Sequence, residues 1–175
     1  MTDKKEKILK AALDLFAKDG FKPTSTSKVA KKACVSEGLI FRHFGNKEGL
    51  LKAILLEGEE QAKVLFSDIV FENDPQKVIA KTIDLGQKLI DSKELADFWK
   101  LQYKIKWEIE VYGEHKVEPL ELALSNAFSK LGYEEPKLEA QLLMIVIDGL
   151  ATRFFLQESF NALEMMHFMK KKYKI

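Results

Sequence analysis

Between Thr24 and Leu51 the chain reads T-S-T-S-K-V-A-K-K-A-C-V-S-E-G-L-I-F-R-H-F-G-N-K-E-G-L-L: two short apolar-striped runs parted by a two-residue break. Helices of seven or eight residues do not hold together alone in water, so both runs must pack on neighbours. Val29, Ala30 and Ala33 fall on one face of the first run, and Thr24 and Ser25 are placed to cap its start. Cys34 and Val35 form the turn. Ser36 is placed to cap the second run, Glu37 to Phe44. That run turns Ile40, Phe41 and Phe44 inward and Glu37, Gly38, Leu39, Arg42 and His43 outward. Two stubby helices about a tight turn, the second with an exposed polar side, make a helix-turn-helix over about residues 25–44.

The flanking sequence supplies the partners. Residues 4 to 19 predict a first helix with Ile8, Ala11, Ala12, Leu15 and Phe16 on one stripe, ended by Gly20. After the Gly45-Asn46 turn, Lys47 opens a long helix whose apolar period lasts to about Val70; 24 residues span about 36 Å. Asn73-Asp74-Pro75 starts a fifth helix to about Ile90, and Asp91 with Glu94 resembles a capping box for a sixth. Leu101, Tyr103, Ile105, Trp107, Ile109 and Val111 alternate with polar residues, which is a strand pattern. A solitary strand leaves its ladder unpaired. The helical alternative puts Phe98, Leu101, Ile105, Ile109 and Tyr112 on one stripe, and helix is the reading adopted. Pro119 and Pro136 open two more helices, the latter apolar nearly all round from Leu142 to Phe155 and so expected to be buried on most sides. A last helix runs from about Phe160 to Lys171. The expected fold is all-α, with about nine helices. A helix-turn-helix domain (1–50) is joined through the long helix 47–70 to a helical effector-binding and dimerisation domain (51–175).

The formal charge of +1 hides an asymmetry. Residues 1–56 hold 12 Lys/Arg against 6 Asp/Glu, while the remaining 119 hold 16 against 21. One end attracts a polyanion and the other repels it, which orients an encounter with nucleic acid. No run of 18 uncharged apolar residues marks a membrane span, and no apolar signal-peptide core follows the N-terminus. A single cysteine excludes an internal disulfide and fits a reducing cytoplasm. His43, His115, His167 and Cys34 have no metal-ligand spacing. No phosphate-binding glycine loop or nucleophile motif is present. Catalysis, a metal and a cofactor are therefore not expected.

Three stretches resemble the DNA-binding domain of the tetracycline-repressor (TetR) family of bacterial regulators. They are I-L-K-A-A-L-D-L-F-A-K-D-G-F (8–21), T-S-T-S-K-V-A (24–30) and V-S-E-G-L-I-F-R-H-F-G-N-K-E-G-L-L (35–51). Beyond about residue 60 only helical character and size are similar. The resemblance implies a homodimer on palindromic double-stranded DNA, with Ser36, Glu37, Gly38, Leu39, Arg42, His43 and Lys47 at the duplex. Ser25 and Thr26 are suited to phosphate through hydroxyl and backbone N–H groups. Arg42, the head's only arginine, suits guanine O6 and N7 or a phosphate. Leu39 stands where the family often has threonine, Phe41 where it usually has tyrosine, and Cys34 where it generally has glycine. If that turn needs φ > 0, Cys34 is strained.

The family's bodies bind small, mostly apolar effectors among their later helices. Phe98, Trp99, Gln102, Tyr103, Trp107, Phe128, Met144, Asp148 and Phe154 are the residues here suited to such a pocket. Phe155, Leu156, Phe160, Leu163, Met166 and Met169 are suited to a dimer face. The expected function is a cytoplasmic, dimeric, sequence-specific regulator, a repressor released by a small apolar ligand. The alternative is an architectural DNA-binding protein with neither sequence preference nor effector.

Overall fold

The computed structural model describes residues 2–110 and 114–175, and among these it holds ten helices and no strand. They are α1 (Thr2–Asp19), α2 (Thr26–Ala33), α3 (Glu37–Phe44), α4 (Lys47–Val70), α5 (Pro75–Ile83), α6 (Leu85–Asp91), α7 (Lys93–Ile109), α8 (Glu114–Lys130), α9 (Pro136–Leu156) and α10 (Ala162–Tyr173). The all-α expectation holds. Contacts divide the chain into two compact units: Met1–Gln61 with Asp97–Tyr112, and Ala62–Ala96 with Gly113–Ile175.

In the first unit Ile8, Ala12 and Phe16 of α1 are fully buried with Val29 of α2, Ile40 of α3, and Leu50 and Ile54 of α4. Gly20, at φ 93°, ends α1 in the left-handed region that a Cβ disfavours. Asn46 opens α4: its Oδ1 accepts from the Gly49 N–H at 2.7 Å. A Cβ on Gly49 would lie 2.0 Å from the Phe44 carbonyl oxygen, so glycine is what lets the end of α3 meet the start of α4.

The disputed run from Leu101 is helix. Phe98, Leu101, Ile105 and Ile109 place one continuous stripe on the first unit's core, and Ile105 is fully buried. A helix satisfies its own backbone, so it needs no second strand. Val111 and Tyr112 lie outside the described residues. The start of α7 is set by Ser92, whose hydroxyl accepts from Leu95 N–H at 3.2 Å, rather than by Asp91, the last residue of α6.

In the second unit Phe128 and Leu124 of α8, Leu143 of α9 and Ile79 and Ile83 of α5 are fully buried together. The single helix expected over 75–90 is two, parted at Asp84. The Asp84 carboxylate pairs with Lys170 of α10 at 2.6 Å. Just beyond, a Cβ on Gly86 would meet Met166 Sδ at 2.7 Å, so the break and the glycine together admit α10. Pro119 lies inside α8, which begins at Glu114, instead of opening it. α9 is not buried on most sides: Leu138, Leu142 and Ile145 are exposed along one stripe. The seven-residue spacing from Leu138 to Ile145 is about two helical turns, so these three share one face.

Candidate nucleic-acid interface

Ser25 is the N-cap of α2, with extended backbone and a side chain that accepts from Lys28 N–H at 3.2 Å. Two ion pairs tie α2 along α1: Lys28 to Asp19 at 2.8 Å and Lys32 to Asp14 at 3.2 Å. The hydrogen bond from Lys28 is the main reason the Asp19 carboxyl is held below its ordinary range. At the far end of α2 Cys34 has φ 55° and ψ 47°. Its backbone N–H and that of Val35 turn back to the Lys31 and Ala30 carbonyls, at 3.3 and 3.0 Å. The turn therefore does demand the left-handed conformation, and cysteine occupies a position suited to glycine.

Ser36 precedes α3 in extended backbone, yet its hydroxyl makes no capping bond. What joins the two short helices is a contact between side chains. Thr26 Oγ1 donates to Glu37 Oε1 at 2.6 Å, linking the first residue of α2 to the first residue of α3. A hydroxyl has one proton to give. The Thr26 proton is committed to Glu37, which accepts it through Oε1.

The outward face of α3 is as read, with two changes. Gly38 is exposed and a Cβ there would meet nothing within 4 Å. Arg42 is exposed, and His43 is half-buried with its ring 6.0 Å from Phe44. Leu39, expected outside, is half-buried against the core. Phe41, expected inside, is 46% exposed. Ile40 and Phe44 fill the inner face, and on eight residues the fourth apolar side chain finds no room there.

Lys47 Nζ donates to the carbonyls of Phe21 and Lys22 at 3.1 and 3.0 Å and sits 4.5 Å above the Phe21 ring. A cation at a helix start is disfavoured by the dipole; these carbonyls account for it without a phosphate. Across the same loop Glu108 of α7 accepts from Phe21 N–H at 2.6 Å. Glu108 lies 87 residues from its partner, so no local pattern marks it. Asn46, three residues before Gly49, does follow a capping spacing that the sequence shows.

The residues suited to an effector pocket are divided between the two units. Phe98, Trp99, Gln102, Tyr103 and Trp107 belong to the first unit, and Phe128, Met144, Asp148 and Phe154 to the second. Gln102 Nε2 is buried and donates to the Ile54 carbonyl at 3.2 Å, and Gly58 gives it room. Trp107 is 76% exposed. Phe128 is wholly buried between Tyr133 and Tyr173, as core. Trp99 Nε1 is buried and has no hydrogen-bond partner among the described residues. Of the residues suited to a dimer face, Met166 and Met169 are buried in the second unit's own core, while Leu156 and Leu163 are exposed. Phe155 and Phe160 are half-buried. Phe168 and Met165, missed in the sequence, are exposed beside them on α10.

Among the described residues no group of His, Cys, Asp and Glu is arranged to hold a metal ion. Likewise, no helix there is long and apolar enough to cross a membrane.

Comparison with known proteins finds similarity in the same region. The profile described as "Bacterial regulatory proteins, tetR family" matches residues 8–54. The uncharacterized HTH-type transcriptional regulator YvkB of Bacillus subtilis is 50% identical over 50 residues, 29% of this chain and 26% of its own length. The HTH-type transcriptional repressor Rv3405c of Mycobacterium tuberculosis is 38% identical over 90 residues, 48% of this chain and 45% of its own. The matched stretches thus span a quarter to under half of those relatives. The fold is similar over nearly the whole chain to FadR from Bacillus subtilis, solved in complex with stearoyl-CoA. That match has a TM-score of 0.67 at 20% identity and covers 95% of each chain. With the helix-turn-helix of α2 and α3 in place and the matching residues spread through α1 to α4, residues 8–54 are similar to the N-terminal region of the TetR family of bacterial regulatory proteins.

Proposed function

We propose that the chain is a dimeric, sequence-specific DNA-binding regulator of transcription, with a head of residues 1–50 and an effector-binding and dimerisation body of residues 51–175. It acts as a cytoplasmic repressor, released from a palindromic operator by a small apolar ligand. One observation carries the reading: α3 exposes Arg42 and an open Gly38 on a helix pinned to α2 through Thr26 and Glu37. A short helix held rigidly, with its outer side bare of bulk at the first turn, is shaped to enter a major groove.

On this reading Arg42 takes a guanine edge or a phosphate, and His43 and Ser36 stand at the backbone. Glu37, held by Thr26 through one oxygen, offers the other to a cytosine N4 amino group, for which a carboxylate is the matching acceptor. Phosphate at the start of α2 is then met by backbone N–H groups and Ser25, because the Thr26 proton is already used. Lys47 reaches phosphate only by leaving the Phe21 and Lys22 carbonyls.

A single head covers half a site, so a palindrome requires two copies. The exposed apolar residues of α9 and α10, Leu138, Leu142, Ile145, Leu163 and Phe168, support a dimer face in the second unit. For the effector, support comes from the fold shared with FadR, which was solved with stearoyl-CoA. Ligand favours a body state that moves α4, and the heads lose their spacing.

Selection from random duplexes with the purified protein tests this. The expected product is a palindrome with half-sites about 34–36 Å apart or a multiple of that, preferred over random DNA on the order of 10³-fold or more. Arg42→Ala lowers that preference and leaves the dimer intact. Equal affinity for all duplexes would favour the architectural alternative.

A further inference from the structure

Most of the large apolar side chains of α3 serve the core. Ile40 is fully buried, and Leu39 and Phe44 are packed against the same cluster. Phe41 is instead 46% exposed and shares the outward face with Arg42. A single exposed apolar side chain is ordinary on a protein surface, so exposure alone carries no meaning. Its setting does. At about 3.6 residues per turn, Gly38 falls between Phe41 and Arg42 around the helix. A Cβ on Gly38 would meet nothing within 4 Å. Gly45, one turn beyond Phe41 at the C-cap of α3, is equally open. The ring therefore stands beside a bare seam, with no side chain at either glycine to hold a base pair away from it.

We infer that Phe41 reads sequence, its ring meeting the C5 methyl group of a thymine in the major groove. The inference rests on the proposed DNA-binding function, and it adds an apolar contact to the polar ones assigned to Glu37 and Arg42. A phenyl ring has no hydrogen-bond donor, so it holds neither a phosphate oxygen nor an acceptor on a base edge. Among the groups that base edges present in the major groove, the thymine methyl is the apolar one. Position agrees with chemistry. Phe41 stands four residues after Glu37, about one turn along the helix, so the two face the same way. Glu37 is itself fixed by the 2.6 Å hydrogen bond from Thr26, which sets the depth at which the ring enters. Leu39, the other apolar residue read from sequence as outward, is half-buried against the core and leaves the methyl to Phe41.

The test uses the full chain and the palindrome recovered by selection from random duplexes. Each thymine is replaced in turn by uracil, in both half-sites at once, which deletes the methyl group and keeps the base pairing. Affinity is measured for wild type, Phe41→Ala and Phe41→Leu, at a salt concentration low enough for all three to bind. At one thymine the replacement should weaken wild-type binding roughly tenfold, since each buried methyl is worth about fourfold and a palindrome holds two. Phe41→Ala should bind the thymine and uracil duplexes alike, and selection with it should return no preference for thymine at that position. Phe41→Leu, which keeps an apolar side chain, should fall between the two. Two results overturn the inference. One is a selected half-site that holds no thymine, or whose thymines can all be replaced without loss, which would set the ring against sugar or solvent. The other is a Phe41→Ala variant that keeps the wild-type penalty, which would give the methyl to another side chain. Failure of wild type to prefer any duplex would instead overturn the function on which the inference depends.

Discussion

The two units treat aromatic and cationic side chains in opposite ways. In the first, the residues that carry the proposed chemistry stand outside the core, and their meaning lies in spacing: Arg42 five positions after Glu37, Glu37 eleven after Thr26. In the second, the aromatic residues that composition offers as pocket walls are largely structural. Phe128 is enclosed by Tyr133 and Tyr173, at ring-centroid distances of 4.9 and 5.5 Å. A polar outer face can be read from sequence because polar residues have no other reason to recur at one side of a short helix. An apolar residue has the same reason to be in a core as in a cavity wall, so composition does not separate the two.

The largest effect expected from this contrast comes from a pair of substitutions. Phe128→Ala should destabilise the protein by about 3–5 kcal/mol, as removal of a buried aromatic side chain does. Trp107→Ala, at a position 76% exposed, should change stability by less than about 0.5 kcal/mol. Both residues suit a pocket by sequence, and chemical denaturation of the two variants separates them. Similar losses from both would mean that Trp107 is held by contacts which its exposure hides.

Next in size is Arg42→Ala, which should lower operator affinity by about 1–3 kcal/mol if the guanidinium reads a base, with no change in thermal stability. The loss should fall on one base-pair position. A loss spread evenly over all sequences would assign Arg42 to phosphate instead.

The helices of the head and most of their inward faces were legible in the sequence, its hydrogen bonds much less so. Ser25 caps α2, Val29, Ala30 and Ala33 face in, and Gly20 ends α1, all as local rules require. Phe41 and Leu39 exchange sides because eight residues define a stripe too loosely to fix its edge. Lys47 is satisfied by carbonyls 25 and 26 residues away, and Glu108 reaches Phe21 across 87. Nothing in a local window records such pairings. In the body the same limit appears as helix boundaries: the break at Asp84 depends on Lys170 and Met166, both on α10. The strand-like run in α7 is helix, the reading adopted from the sequence. Alternation and a helical stripe coincided there, and the core of the first unit selected between them.

Cys34 gives a smaller effect with a definite sign. Its φ of 55° places a side chain where the left-handed region penalises a Cβ. Cys34→Gly removes that penalty and loses some backbone entropy in exchange, for a net gain of about 0.5–1 kcal/mol. For a chain of this size that is a rise in melting temperature of about 1–4 °C. Cys34→Val should move the other way, since a β-branched residue tolerates this conformation least.

The smallest effects are electrostatic, and they differ in sign between the units. In the first, burial chiefly, with the nearby Glu6 carboxylate, raises the Glu57 carboxyl above its ordinary value. A raised carboxyl means that the folded state holds its proton more tightly than the unfolded chain does. Its stabilisation is therefore present below the ordinary value of 4.5 and is lost as pH rises through the folded-state value. In the second unit the Lys81 hydrogen bond, at 2.6 Å, is the main cause holding Glu72 at about 2, aided by the backbone N–H groups of Asp74 and Asn73. That contribution is present above 4.5 and disappears as pH falls towards about 2. Glu72→Gln should thus be less stable than wild type at neutral pH, with the gap closing on acidification across that window. Glu57→Gln should be at least as stable as wild type at neutral pH, and its advantage should shrink as pH falls towards 4.5. Denaturation curves of the three proteins over this range measure both trends. If both variants followed the same trend with pH, the two carboxyls could not be shifted in opposite directions, and the contrast between the units would not extend to their charges.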